Sequence, residues 1–212
     1  MNLVKPSQLP IAPKSRPRLY ASGVPAKVRA RLSRDDFWKI YAAAGELGYQ
    51  GLQIAMGLSL TTFMREGDIC SLKLSENLES NLLRLVVGKS LAQRGSSQAS
   101  RLQWDVGNHQ LVSSLLRRSR ELSMKNSRCP FVISHKPKAI RPSRTKEHSC
   151  QILPRRLIAM FADARDAAGV KKESSASAAT FHEIRSLASK LAADAGYNLN
   201  DIQVDMAHEV GS

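Results

Sequence analysis

The sequence predicts a mainly α fold with one small antiparallel β-sheet, an α+β class. Three observations carry this. Apolar residues recur at helical spacing in segments along most of the chain. Only one pair of stretches, 82–87 and 101–106, reads instead as two strands, and a polar Gly/Ser-rich loop joins them. Of the 212 residues, 42% are hydrophobic, enough for one core.

The elements follow in order. Residues 1–30 read as a basic linker or arm, because Pro6, Pro10, Pro13, Pro17 and Pro25 interrupt any helix. The folded domain is expected over 31–212. Its first helix starts behind a Ser33 cap, with Asp35 and Asp36 in the first turn where the helix dipole favours acids. Phe37, Ile40, Tyr41 and Ala44 continue it toward Gly48. A second apolar helix fits Gly51 to Phe63, and a short one begins near Arg65. Leu82 to Val87 and Arg101 to Val106 read as paired strands around the loop Gly88 to Ser100. Gln110 to Ser123 is helical, and 125–149 is basic and irregular around Phe131-Val132-Ile133. Further helices are expected at Gln151 to Ala168, Thr180 to Ala195 and Leu199 to Ala207.

Charge narrows the function. The net +14 is concentrated in two blocks: residues 1–34 hold eight basic and no acidic side chains, and 84–146 hold fourteen basic against two acidic. Such blocks suit a surface that tracks a polyanion. No apolar run approaches a membrane span, and the first ten residues lack the apolar core of a secretion signal. Cys70, Cys129 and Cys150 are odd in number, far apart and without metal spacing, so a reduced, cytoplasmic setting with buried thiols is expected.

Four places carry candidate chemistry. His182 and Arg185, at i and i+3 behind a Thr180 cap, would share a face near a helix N-terminus, a suitable position for a phosphate oxygen. Taken alone, this pair reads more plainly as a solvated surface pair. Arg65 follows an apolar helix, with Asp68 placed either to neutralise or to orient it. Lys89 opens the inter-strand loop, and His208 lies near the end of the chain.

Each is weak alone, but their order and spacing are not. Thr180-Phe181-His182-Glu183-Ile184-Arg185-Ser186-Leu187, Thr62-Phe63-Met64-Arg65-Glu66-Gly67-Asp68-Ile69-Cys70-Ser71-Leu72 and Met206-Ala207-His208 resemble the conserved boxes of the tyrosine recombinases, phage-type integrases in particular. The resemblance covers residues 31–212 and implies that family's catalytic-domain fold. It implies strand cleavage and rejoining on double-stranded DNA through a 3′-phosphotyrosyl intermediate, with no metal or cofactor. Arg65 and Arg185 would hold the non-bridging oxygens of the scissile phosphate, and Lys89 would protonate the leaving 5′ oxygen. His182 and His208 would hydrogen-bond the phosphate, with His182 also accepting the nucleophile's proton, and Asp68 would orient Arg65.

Two departures qualify the resemblance. The family's nucleophilic Tyr lies about nine residues beyond the second His, whereas this sequence ends four residues after His208. None of Tyr20, Tyr41, Tyr49 or Tyr197 takes that position, and Tyr197 is expected to pack between helices. Ala207 and Glu209 also differ from the usual residues flanking that His. The chain is therefore expected to be a domain truncated before its nucleophile: binding DNA, not cleaving it alone, monomeric off DNA and tetrameric on DNA in a full-length form. A non-catalytic DNA-binding regulator of the same fold and a type IB topoisomerase-like enzyme are the alternatives. Base contacts are expected from the helices at 110–123 and 151–168 and from the basic loop 136–146.

Overall fold

The computed structural model describes residues 31–79, 81–88, 92, 101–140, 143–170 and 178–198. The arm 1–30, most of the loop after Gly88, and the expected helix at 199–207 lie outside these residues. The described elements are helices α1 (Arg34–Glu46), α2 (Gln50–Thr62) and α3 (Glu66–Ser71), then strands β1 (Leu78–Glu79), β2 (Leu82–Val86) and β3 (Arg101–Asp105). Helices α4 (Gln110–Lys125), α5 (Pro154–Ala167) and α6 (Glu183–Asp194) follow. The mainly α fold with a small antiparallel sheet is as the sequence predicts.

Helix α2 forms the centre. Its residues are mostly apolar with no marked polar face, and Leu52, Ile54, Ala55, Met56 and Leu58 are buried. A helix without a polar face has to be covered all round, and α1, α3, α4 and α6 pack against it. Full burial of Leu52, Ile54 and Leu58 contributes about 1.5–3 kcal/mol each. Gly51 permits the closest approach, since a Cβ there would sit 2.4 Å from the Ser134 carbonyl oxygen. Helix α4 is amphipathic instead: Val112, Leu115, Leu116 and Leu122 face the core, and Arg117 and Arg120 face solvent.

The sheet has the order β1-β2-β3, all antiparallel, with Leu83 opposite Trp104 and Leu85 opposite Leu102. Alternation along β2 buries Leu83 and Leu85 and exposes Arg84, which bonds Glu79 and Gln103. β1 was not expected, being only two residues long.

Two helix starts differ from the sequence reading. α5 begins at Pro154 rather than Gln151, because Gln151 forms an antiparallel bridge with Ser134 and proline fits the first helical position. α6 begins at Glu183, and its cap is His182 rather than Thr180, whose carbonyl oxygen instead closes a tight turn with the Glu183 N–H at 3.0 Å. Tyr197, expected to pack between helices, is 67% exposed beyond the end of α6. The three cysteines are buried free thiols. Among the described residues, no helix is long and apolar enough to cross a membrane.

Candidate active site

The site begins at the turn between α2 and α3. Phe63 caps α2 in the left-handed region, φ 55°, which few non-glycine residues adopt. The turn is held by Met64, which is buried and whose carbonyl oxygen accepts from Ser59 Oγ at 3.1 Å. The reversal places Arg65, in extended backbone, at the N-cap of α3.

Asp68 is buried on α3, and its Oδ1 accepts the Gly88 N–H at 2.9 Å. The bond joins α3 to the end of β2, one residue before Lys89. Among the described residues Asp68 makes no salt bridge to Arg65, so its direct contact is with the root of the loop that carries Lys89.

The second half of the site comes from α6. Phe181 is buried with its ring edge-on to Phe161, centroids 5.8 Å apart. Arg165 donates from Nη1 to the Ala179 carbonyl oxygen at 2.9 Å. These contacts fix the irregular segment entering α6, and there His182 is exposed while Arg185, three residues on, is only 2% exposed. The two are not a surface pair: one faces solvent, the other the interior. Nor does this helix offer open amides to an anion, because the N–H groups of Glu183, Ile184 and Arg185 already donate to the carbonyls of Thr180, Phe181 and His182. An anion here would meet side chains.

Burial pulls the Arg185 guanidinium down to about 10, and the charge of Arg65 adds to that fall, while Asp68 and Glu66 oppose it. It remains a cation at neutral pH. Arg65, Glu66 and Asp68, from the start of α3, thus all act on Arg185 of α6. Glu66 also helps burial push the Cys70 thiol up to about 12, which leaves that thiol un-ionised. Lys89 and His208 lie outside the described residues.

A second basic region lies between the ends of α1 and α5. A cavity of about 550 Å³ is lined by Tyr49, His135, Lys136, Lys138, Lys146 and Arg156, among others. Arg156 stacks on the Tyr49 ring at 5.6 Å, the Tyr49 hydroxyl donates to Asp163 at 3.2 Å, and His135 meets the same ring edge-on. Burial lowers the His135 imidazole, and the charges of Arg156 and Lys146 lower it further. The basic loop 136–146 was legible as a run of charge; Tyr49, His135 and Arg156 as its partners were not.

The sequence pattern of the phage integrase family matches residues 30–212. The chain belongs to that family. Among curated relatives, the integrase of Escherichia phage HK022 is 29% identical over 163 residues, covering 77% of this chain and 40% of the relative. This phage integrase family member thus spans well under half of that protein. The fold is similar to that of lambda integrase bound to DNA, with TM-score 0.68, 22% identity and coverage of 90% of this chain and 59% of that one. It is similar also to the lambda integrase catalytic core, with TM-score 0.66, 22% identity and coverage of 85% and 96%. XerA recombinase shares the fold more distantly, with TM-score 0.59, 15% identity and coverage of 88% and 57%.

None of the tyrosines in the described residues stands ready as a nucleophile beside this cluster. The Tyr41 hydroxyl accepts from Arg118 Nη1 at 2.7 Å, and Tyr49 is held by Asp163 and Arg156. Tyr197 follows the far end of α6, a rise of about 18 Å from its start.

Proposed function

We propose that this chain is the DNA-gripping catalytic domain of a site-specific recombinase that cleaves and rejoins strands. The observation that carries the reading is the burial of Arg185 in a charged cluster with Arg65. A buried arginine is uncommon, and a guanidinium fixed in a dry setting binds an anion more strongly than a mobile surface one.

On this reading Arg65 and Arg185 hold the two non-bridging oxygens of a phosphodiester and stabilise the charge that grows in the pentacoordinate transition state. His182 takes the proton of an attacking tyrosine hydroxyl, and His208 hydrogen-bonds the phosphate. Lys89 protonates the departing 5′ oxygen, leaving a 3′-phosphotyrosyl bond. Asp68 acts on the site by fixing the backbone before Lys89 and by balancing the arginines. No tyrosine of the described residues is assigned the attack. The partner is double-stranded DNA, residues 1–30 serve as a basic arm, and 31–212 form the catalytic domain. The lambda integrase tetramer bound to a Holliday junction, similar in fold at TM-score 0.69, supports a tetramer on DNA; off DNA the chain is a monomer, in the cytoplasm.

The basic cavity at Tyr49, Lys136, Lys138, Lys146 and Arg156 captures flanking phosphates. Duplex-DNA affinity therefore falls at least ~100-fold between about 50 and 200 mM salt, and Arg185→Ala weakens it by about tenfold at fixed salt. The same 212-residue polypeptide leaves no covalent adduct on a nicked suicide duplex. A salt-independent binding constant, or wild-type binding by Arg185→Ala, rules the reading out.

A further inference from the structure

Glu66 has no part in the assignments above. It occupies the first helical position of α3, next to the Arg65 cap. Its Oε2 is buried and has no hydrogen-bond partner among the described residues. Asp68, the other acid acting on Arg185, is already engaged by the Gly88 N–H. Leaving a carboxylate oxygen buried without a hydrogen bond costs free energy, and such a group persists where cations compensate it. Here the cations are Arg65, its chain neighbour, and Arg185, on which Glu66 acts electrostatically. The charge of Arg65 works against the buried Arg185 cation, and Glu66 opposes that effect.

We propose that Glu66 is a positioning residue acting through Arg185: its carboxylate stands in for the absent phosphate, holding the two arginines together while weakening their grip on ground-state DNA. The inference rests on Arg65 and Arg185 being the phosphate site. The chemical advantage is differential binding. A phosphodiester carries one negative charge and gains more in the pentacoordinate transition state, so a fixed counter-charge discounts the substrate while the arginines remain poised for the added charge.

The test is equilibrium binding to a short duplex oligonucleotide at about 0.1 M salt, with folding checked by urea unfolding. Glu66→Gln binds DNA roughly three- to tenfold more tightly than wild type, the order expected for removing one partly screened unit charge. Glu66→Asp keeps the charge and stays near wild type. The gain disappears in the Arg185→Gln background, and Asp194→Asn, an exposed acid at the far end of α6, shows no such gain. A merely structural Glu66 would give weaker binding or none of this coupling. Equal or weaker binding by folded Glu66→Gln, or a gain that survives loss of Arg185 or is matched by Asp194→Asn, overturns the proposal. Arg185→Gln binding as tightly as wild type is a different result: it removes the phosphate site itself.

Discussion

The Arg65–Arg185 cluster and the cavity around Tyr49 are both basic, yet they hold their charge differently. In the cluster, Arg185 is buried, and the acids Asp68 and Glu66 oppose the influence of Arg65 on it. In the cavity, Lys136, Lys138, Lys146 and Arg156 line an open space, and the aromatic face of Tyr49 steadies one of them. Fixed, balanced charge suits a single phosphate held for chemistry. Unbalanced, solvated charge suits attraction over a longer range, which salt weakens. On the proposed function, capture and chemistry fall to separate regions of the molecule, and each should fail in its own way.

The largest separation comes from reversing the cavity. Lys136→Glu, Lys138→Glu and Lys146→Glu together should reduce duplex affinity at least ~100-fold at low salt and flatten the slope of log affinity against log salt by about three. An unchanged slope would place the capturing surface elsewhere. Next is Asp68→Ala, which leaves the Gly88 N–H without its acceptor and removes a buried counter-charge. It should cost about 1–3 kcal/mol in urea unfolding, with the salt slope of DNA binding unchanged. Full wild-type stability would show that the Gly88 bond carries little.

The smallest effect belongs to His135. Burial, Arg156 and Lys146 hold its folded-state value below the ordinary imidazole range, so in the free protein it is neutral at pH 7. A bound phosphate favours the imidazolium, so binding takes up a proton and affinity rises as pH falls through the imidazole range. The rise should be about two- to threefold, and His135→Gln should abolish it. In the free protein the sign is opposite: the depressed value costs stability as pH falls below the ordinary imidazole range, a loss that His135→Gln removes.

Much of this architecture was legible because local chemistry and fold agree. The Ser33 hydroxyl accepts the Asp36 N–H at 3.0 Å, as its place before two acids implies. The alternation of Leu83, Arg84 and Leu85 gave the register of inward and outward side chains. Other features depend on tertiary contacts. Phe63 takes a left-handed turn that its residue type does not advertise, and it is secured by Ser59 and buried Met64. Gln151 looks like the start of a helix until Ser134 pairs with it. Arg185 was legible as a family position but not as a buried side chain, since i, i+3 spacing with His182 fixes a helical neighbour and not the depth of each residue.

The Asp68–Gly88 bond has one more consequence. It anchors Gly88, just past the end of β2, to helix α3. The place of Gly88 is thereby set from α3, across twenty residues of sequence, and Asp68 serves as a peg that ties the sheet to the helical body.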